Sequence, residues 1–105
     1  MTINELCKKA VTQSAISGFH SPSPTDLEAI ALIVSELGEA VEELRTTNEA
    51  FYIKNGKPEG VLTELADAII RIADLCGLHD WDLQDAIIKK MKYNETRPYK
   101  HGKLI

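Results

Sequence analysis

The stretch TDLEAIALIVSELGEAVEELR, residues 25–45, decides the fold. Leu27, Ile30, Val34, Leu37, Val41 and Leu44 recur at alternating steps of three and four, which predicts a helix over 25–45 with this stripe as its core face. Thr25-x-x-Glu28 opens it as a capping box. Upstream, Ser21-Pro-Ser-Pro24 cannot continue a helix, because each proline lacks a donor and pushes its predecessor toward extended backbone. Before that break, Ile3, Leu6, Cys7, Ala10, Val11, Ser14 and Ala15 predict a first helix near 3–18, opened by Thr2-x-x-Glu5 and stopped at Gly18.

Downstream, TTNEAFYIKNGKPEG (46–60) reads as a connector, with Asn55-Gly56 and Pro58 as turn signals and Phe51, Tyr52 and Ile53 as a short apolar patch. A third helix over 59–76 carries Val61, Leu65, Ile69, Ile72 and Cys76, with Gly77 as its left-handed stop. A fourth, capped by Asp80 or Asp82, spans 82–93, and residues 94–105 form a polar basic tail. Neither strand alternation nor an internal repeat is present, so the chain reads as one all-α domain, 1–105, of four helices.

Composition narrows the function classes. With 44% hydrophobic and 27% charged residues the chain is neither a disordered tail nor a membrane protein. A formal charge of -4 argues against a nucleic-acid polymer as partner. Cys7 and Cys76 make no ligand spacing and read as reduced core thiols. The N-terminal segment has no apolar run of signal or membrane-span type, so a cytoplasmic location is expected.

The acids carry the chemistry. Glu36, Glu39 and Glu43 share a face roughly opposite the apolar stripe, and Glu64, Asp67 and Asp74 do the same on the third helix. A solvated charged face is the ordinary reading of such a pattern. Three features argue against it. The second helix places no lysine or arginine among its acids to relieve their repulsion, a few tenths of a kcal/mol per pair. Apolar Leu32, Ile33, Ile70, Leu75 and Leu78 lie beside the acids, which leads to the expectation that another subunit encloses these faces. Finally, the pairs E-x-x-E and E-x-x-D stack carboxylates on neighbouring turns, and two such pairs converging without His or Cys select Mg²⁺, or Mn²⁺, over zinc.

SELGEAVEEL (35–44) followed by TELADAIIRIADL (63–75) resembles the MazG-like family of all-α nucleoside triphosphate pyrophosphohydrolases. The ending Lys90-Met91-x-x-Asn94-x-x-Arg97, then His101-Gly102-Lys103, is similar to that family's closing segment, so the resemblance covers about residues 25–103. It implies an oligomeric helical bundle, a homodimer or dimer of dimers, that uses Mg²⁺ to cleave a nucleoside triphosphate into monophosphate and pyrophosphate. Glu36, Glu39, Glu64 and Asp67 become the metal-binding residues, and of the motif glutamates Glu39 is the one we expect to orient or deprotonate the attacking water. Lys90, Asn94 and Arg97 become phosphate contacts, joined by Tyr99 and Lys103. Glu43 and Asp74 lie outside the minimal motif. The contrasting reading is a non-catalytic helical oligomer acting as a nucleotide-binding or regulatory module, although a decayed relative is expected to have lost motif carboxylates that this chain keeps. Trp81 is expected to pack at a helix start, and His20 and His79 to be loop residues without ligand roles.

Overall fold

The computed structural model describes residues 1–102. Four helices dominate: α1 (Ile3–Ile16), α2 (Asp26–Thr46), α3 (Val61–His79) and α4 (Leu83–Glu95). Both predicted capping boxes form. Thr2 and Thr25 accept from the backbone N–H of Glu5 and Glu28, whose carboxylates accept in return from the cap residues. Asp82 caps α4 by accepting from Asp85 N–H at 3.0 Å, and also accepts from Asn4 Nδ2 at 2.9 Å, which ties the starts of α1 and α4 together.

The connector departs from its helical neighbours. Residues Tyr52–Lys54 (β1) and Lys57–Glu59 (β2) pair antiparallel around Asn55-Gly56, both at positive φ, so the turn signal is realised as a small hairpin that the absence of a long alternating run concealed. Gly60 follows at φ 107°, where a Cβ would meet Ala50 O at 2.7 Å, and delivers the chain into α3.

Helix α3 is the central element, packing against α2 on one side and α1 on the other. Gly77 does not stop it. The helix runs on to His79 and closes at Asp80, which takes the left-handed conformation. Gly77 is needed because a Cβ there would collide with the Cys7 carbonyl of α1. Small residues make this seam: Cys7, Ala10, Ala73 and Cys76 form one buried cluster, with Leu6, Ile72 and Leu83 packed against it. Burial raises both thiol pKa values and keeps these cysteines protonated.

The apolar stripe of α2 is not the core of this chain. Leu27, Val34, Val41 and Leu44 are 85%, 61%, 55% and 53% exposed, while Ile33 and Ala40, on the acid-bearing side, are buried. The acid-bearing sides of α2 and α3 therefore meet each other within the chain, while Leu32, Ile70 and Leu78 beside the acids stay 41%, 47% and 41% exposed. Periodicity shows that a helix has an apolar face; it does not say which surface meets it. The chain is correspondingly open. Its surface is 7954 Å², against about 5,900 Å² for a compact domain of this mass. Its radius of gyration is 16.3 Å, against about 13 Å. Among the described residues no helix is long and apolar enough to cross a membrane.

Candidate functional site

Packing the acid-bearing sides of α2 and α3 together brings the two motifs into one cluster. Carboxylate oxygens of Glu36, Glu64 and Asp67 all lie within 4.8 Å of one another, close enough for one cation to meet all three. Glu36 is only 12% exposed. Glu39, the fourth predicted residue, is exposed but stands against Glu64.

Glu64 feels this crowding most. Burial first, then the hydrogen bond and charge of Glu39, then those of Glu36, raise its pKa from 4.5 to about 7. Two carboxylates bond to each other only if one keeps a proton, and Glu64 Oε2 is buried with no ordinary donor. A shared proton or a cation is what satisfies that atom. The Asp67 carboxyl is raised too, by burial and by Glu36, with the charges of Arg71 and Lys57 opposing. An all-oxygen, partly desolvated donor set with an orphaned oxygen fits a hard divalent ion.

Two residues that spacing did not single out complete the cluster. Arg71, one turn beyond Asp67 on α3, donates from Nε to Glu36 Oε1 at 2.9 Å. The acid-to-base spacing of four was visible in the sequence. Glu59, at the end of β2, lies with Glu43 and Glu64 in a second group whose oxygens fall within 4.8 Å. No linear spacing signals it, because the hairpin brings it in. Glu43 accepts from Thr47 Oγ1 at 2.8 Å and from Tyr52 at 3.3 Å, so Tyr52 belongs to the wall of the acidic cluster. The phenol's pKa is raised by its desolvation and by Glu43.

A cleft of about 710 Å³ opens beside the acids, between α1, the 17–24 loop, α2 and α3. Glu36, Asp67 and Arg71 stand at its acidic part, Phe19, Leu32, Ile70 and Leu78 line apolar wall, and Gln13, Ser14 and Ser17 add polar groups from α1 and the loop. His20 lies in the loop as expected, whereas His79 is the last residue of α3 rather than a loop residue, and both side chains are held by partners. His20 Nε2 lies 2.8 Å from Asp74 Oδ1 and its Nδ1 2.7 Å from Ser23 Oγ, which pins the loop to α3 and uses Asp74 as an anchor. His79 likewise meets Asp26 at 2.8 Å and stacks on Trp81 at 4.2 Å, so Trp81 covers the α3–α4 junction while staying half exposed.

The basic segment lies apart. Lys90 and Asn94 lie on α4 and Arg97 just beyond it, and Lys90 and Arg97 both sit over the Tyr93 ring at 4.9 and 5.8 Å. Asn94 Oδ1 is buried without a partner. Tyr99 is exposed in a 3-10 turn over Tyr99–Gly102, and Lys103 lies outside the described residues. Of these, Lys90, Asn94, Arg97 and Tyr99 are absent from the lining of the cleft of their own chain. Comparison with protein-family models, with curated proteins and with solved structures finds no match to this chain.

Proposed function

We propose that the chain is a Mg²⁺-dependent nucleoside triphosphate pyrophosphohydrolase of the MazG-like kind, cleaving the α–β phosphoric anhydride of an NTP or dNTP. The observation that carries this reading is the convergence of Glu36, Glu64 and Asp67 beside a cleft of nucleoside size. A triphosphate approaches such a carboxylate cluster only with its charge neutralised, and an all-carboxylate donor set suits Mg²⁺ or Mn²⁺.

Glu36, Glu64 and Asp67 hold the ion, with Glu39 beside them; when bound it supplies charge neutralisation and polarisation of phosphate oxygens. Glu39, exposed and in contact with Glu64, orients a water toward the α-phosphorus and takes its proton. The apolar walls of the cleft receive the nucleoside, and Gln13, Ser14 and Ser17 offer donors and acceptors to it.

The working unit in this proposal is a homodimer or dimer of dimers. The surface excess of roughly 2,000 Å² over a compact domain is the size of an obligate interface. Exposed apolar side chains of α2 and α3, including Val34, Val41, Leu62 and Ile69, offer such a surface. Lys90, Asn94 and Arg97 are not among the residues that line the cleft of their own chain, so in this proposal a second copy presents them to the phosphates.

Incubation with each common NTP and dNTP plus Mg²⁺, with products separated by chromatography, tests the activity. Monophosphate and pyrophosphate are expected. Diphosphate and phosphate contradict the bond assigned, and no turnover of any nucleotide returns the chain to the class of binding modules.

A further inference from the structure

Arg71 is a cation that an ion pair already commits to one carboxylate of the acidic cluster. Its Nε donates to Glu36 Oε1 at 2.9 Å, its side chain is 43% exposed and lines the cleft, and Glu36 is 12% exposed. The guanidinium therefore does two things at once. It holds one oxygen of a carboxylate that also faces Glu64 and Asp67. It also presents its remaining N–H donors to the cleft, where a bidentate fork suits phosphate oxygens.

These two roles pull in opposite directions for two ligands. A bare divalent cation entering beside Glu36, Glu64 and Asp67 meets a fixed positive charge and a partner for one of its oxygens. A cation arriving with a polyphosphate brings an anion that the same guanidinium attracts. Resting on the pyrophosphohydrolase reading of this cluster, we propose that Arg71 makes metal binding conditional on polyphosphate: it opposes occupation of the carboxylates by a free cation and favours the cation–triphosphate complex.

The partners on every side agree with this assignment. Asp67 lies one turn before Arg71 on the same helix, Glu36 faces it from α2, and Asp74 lies further along the cleft wall but is taken by His20. Lys57, the other cation near the cluster, reaches Glu59 at 3.8 Å with its side chain 77% exposed, so it is a looser charge and does not clamp a carboxylate.

The test compares the wild type with Arg71→Met and Arg71→Lys by titrating Mn²⁺ alone and Mn²⁺–tripolyphosphate, a probe without a base, by calorimetry. Loss of the charge is expected to tighten Mn²⁺ alone about fivefold and to weaken Mn²⁺–tripolyphosphate about tenfold, while Arg71→Lys keeps the tripolyphosphate affinity within about threefold of wild type. Weaker binding of both probes by Arg71→Met shows that Arg71 only steadies Glu36 and overturns the proposal, as does an unchanged affinity for both. If the wild type neither binds Mn²⁺ nor hydrolyses a nucleotide, the pyrophosphohydrolase reading fails as well. If it does both while Arg71→Met binds as wild type, only the role of Arg71 is lost.

Discussion

Substituting Glu64→Gln should stabilise the metal-free protein, although it removes a motif residue. The carboxyl stands at about 7 in the folded chain against 4.5 for a free glutamate. Because the folded state holds the proton more tightly, stability falls as pH rises from 4.5 to about 7 and stays low above that window. Each pH unit corresponds to about 1.4 kcal/mol, which sets an upper bound of about 3 kcal/mol, and solvent near this partly exposed side chain reduces it to about 1–2 kcal/mol. Gln keeps the shape and cannot ionise. In EDTA, thermal melts followed by circular dichroism at fixed protein concentration should therefore show Glu64→Gln about 5–10 °C above wild type at pH 8, with the difference vanishing near pH 5. Adding Mg²⁺ should raise the wild type and close the gap. An equal loss of stability at both pH values would refute the account of Glu64 as a crowded, desolvated carboxyl.

Glu39→Gln should lower Mg²⁺-dependent turnover by at least about a hundredfold with helix content unchanged, measured as pyrophosphate release and circular dichroism. Retained turnover moves the general base elsewhere. Truncation after Tyr93 should raise KM for nucleotide sharply without removing the acidic cluster, and unchanged kinetics would exclude the basic segment from phosphate binding. Val41→Lys, at a position 55% exposed on the apolar stripe, should shift the protein toward monomer in light scattering, whereas an unaltered mass would show that this face is free of a partner. Apparent Mn²⁺ affinity should fall below pH 7, by up to about tenfold per unit, because the proton on Glu64 competes with the ion.

The helices were legible because their signals are local. Thr2 and Thr25 cap where their spacing to Glu5 and Glu28 requires, and the prolines at 22 and 24 separate α1 from α2. The two acidic motifs were legible for the same reason, since a spacing of three places both carboxylates on one side of a helix. What escaped depends on chain distant in sequence. The stripe from Leu27 to Leu44 has the periodicity of a core face whether its partner is this chain or a copy of it. Gly77 has the composition of a stop but serves a close approach to Cys7. Glu59 and Tyr52 join the site through a hairpin whose strands are three residues each, too short to leave an alternating pattern.

The buried alanines of α2 and α3 reach further than the stability they contribute. Ala40 on α2 and Ala68 on α3 are buried on a pair of helices packed together, at 5% and 3% exposure. Each is flanked by motif acids, Glu39 on one helix and Asp67 on the other. Carboxylate side chains have a fixed reach, so the separation of the two helix axes gauges the gap between the opposing oxygens. Hard cations differ in the bond lengths they demand, with Mg²⁺ near 2.1 Å and Ca²⁺ nearer 2.4 Å. In the proposed metal site, a methyl group with no chemistry of its own would then act as the spacer that calibrates an aperture, and selectivity for ion size would rest on alanines as much as on acids.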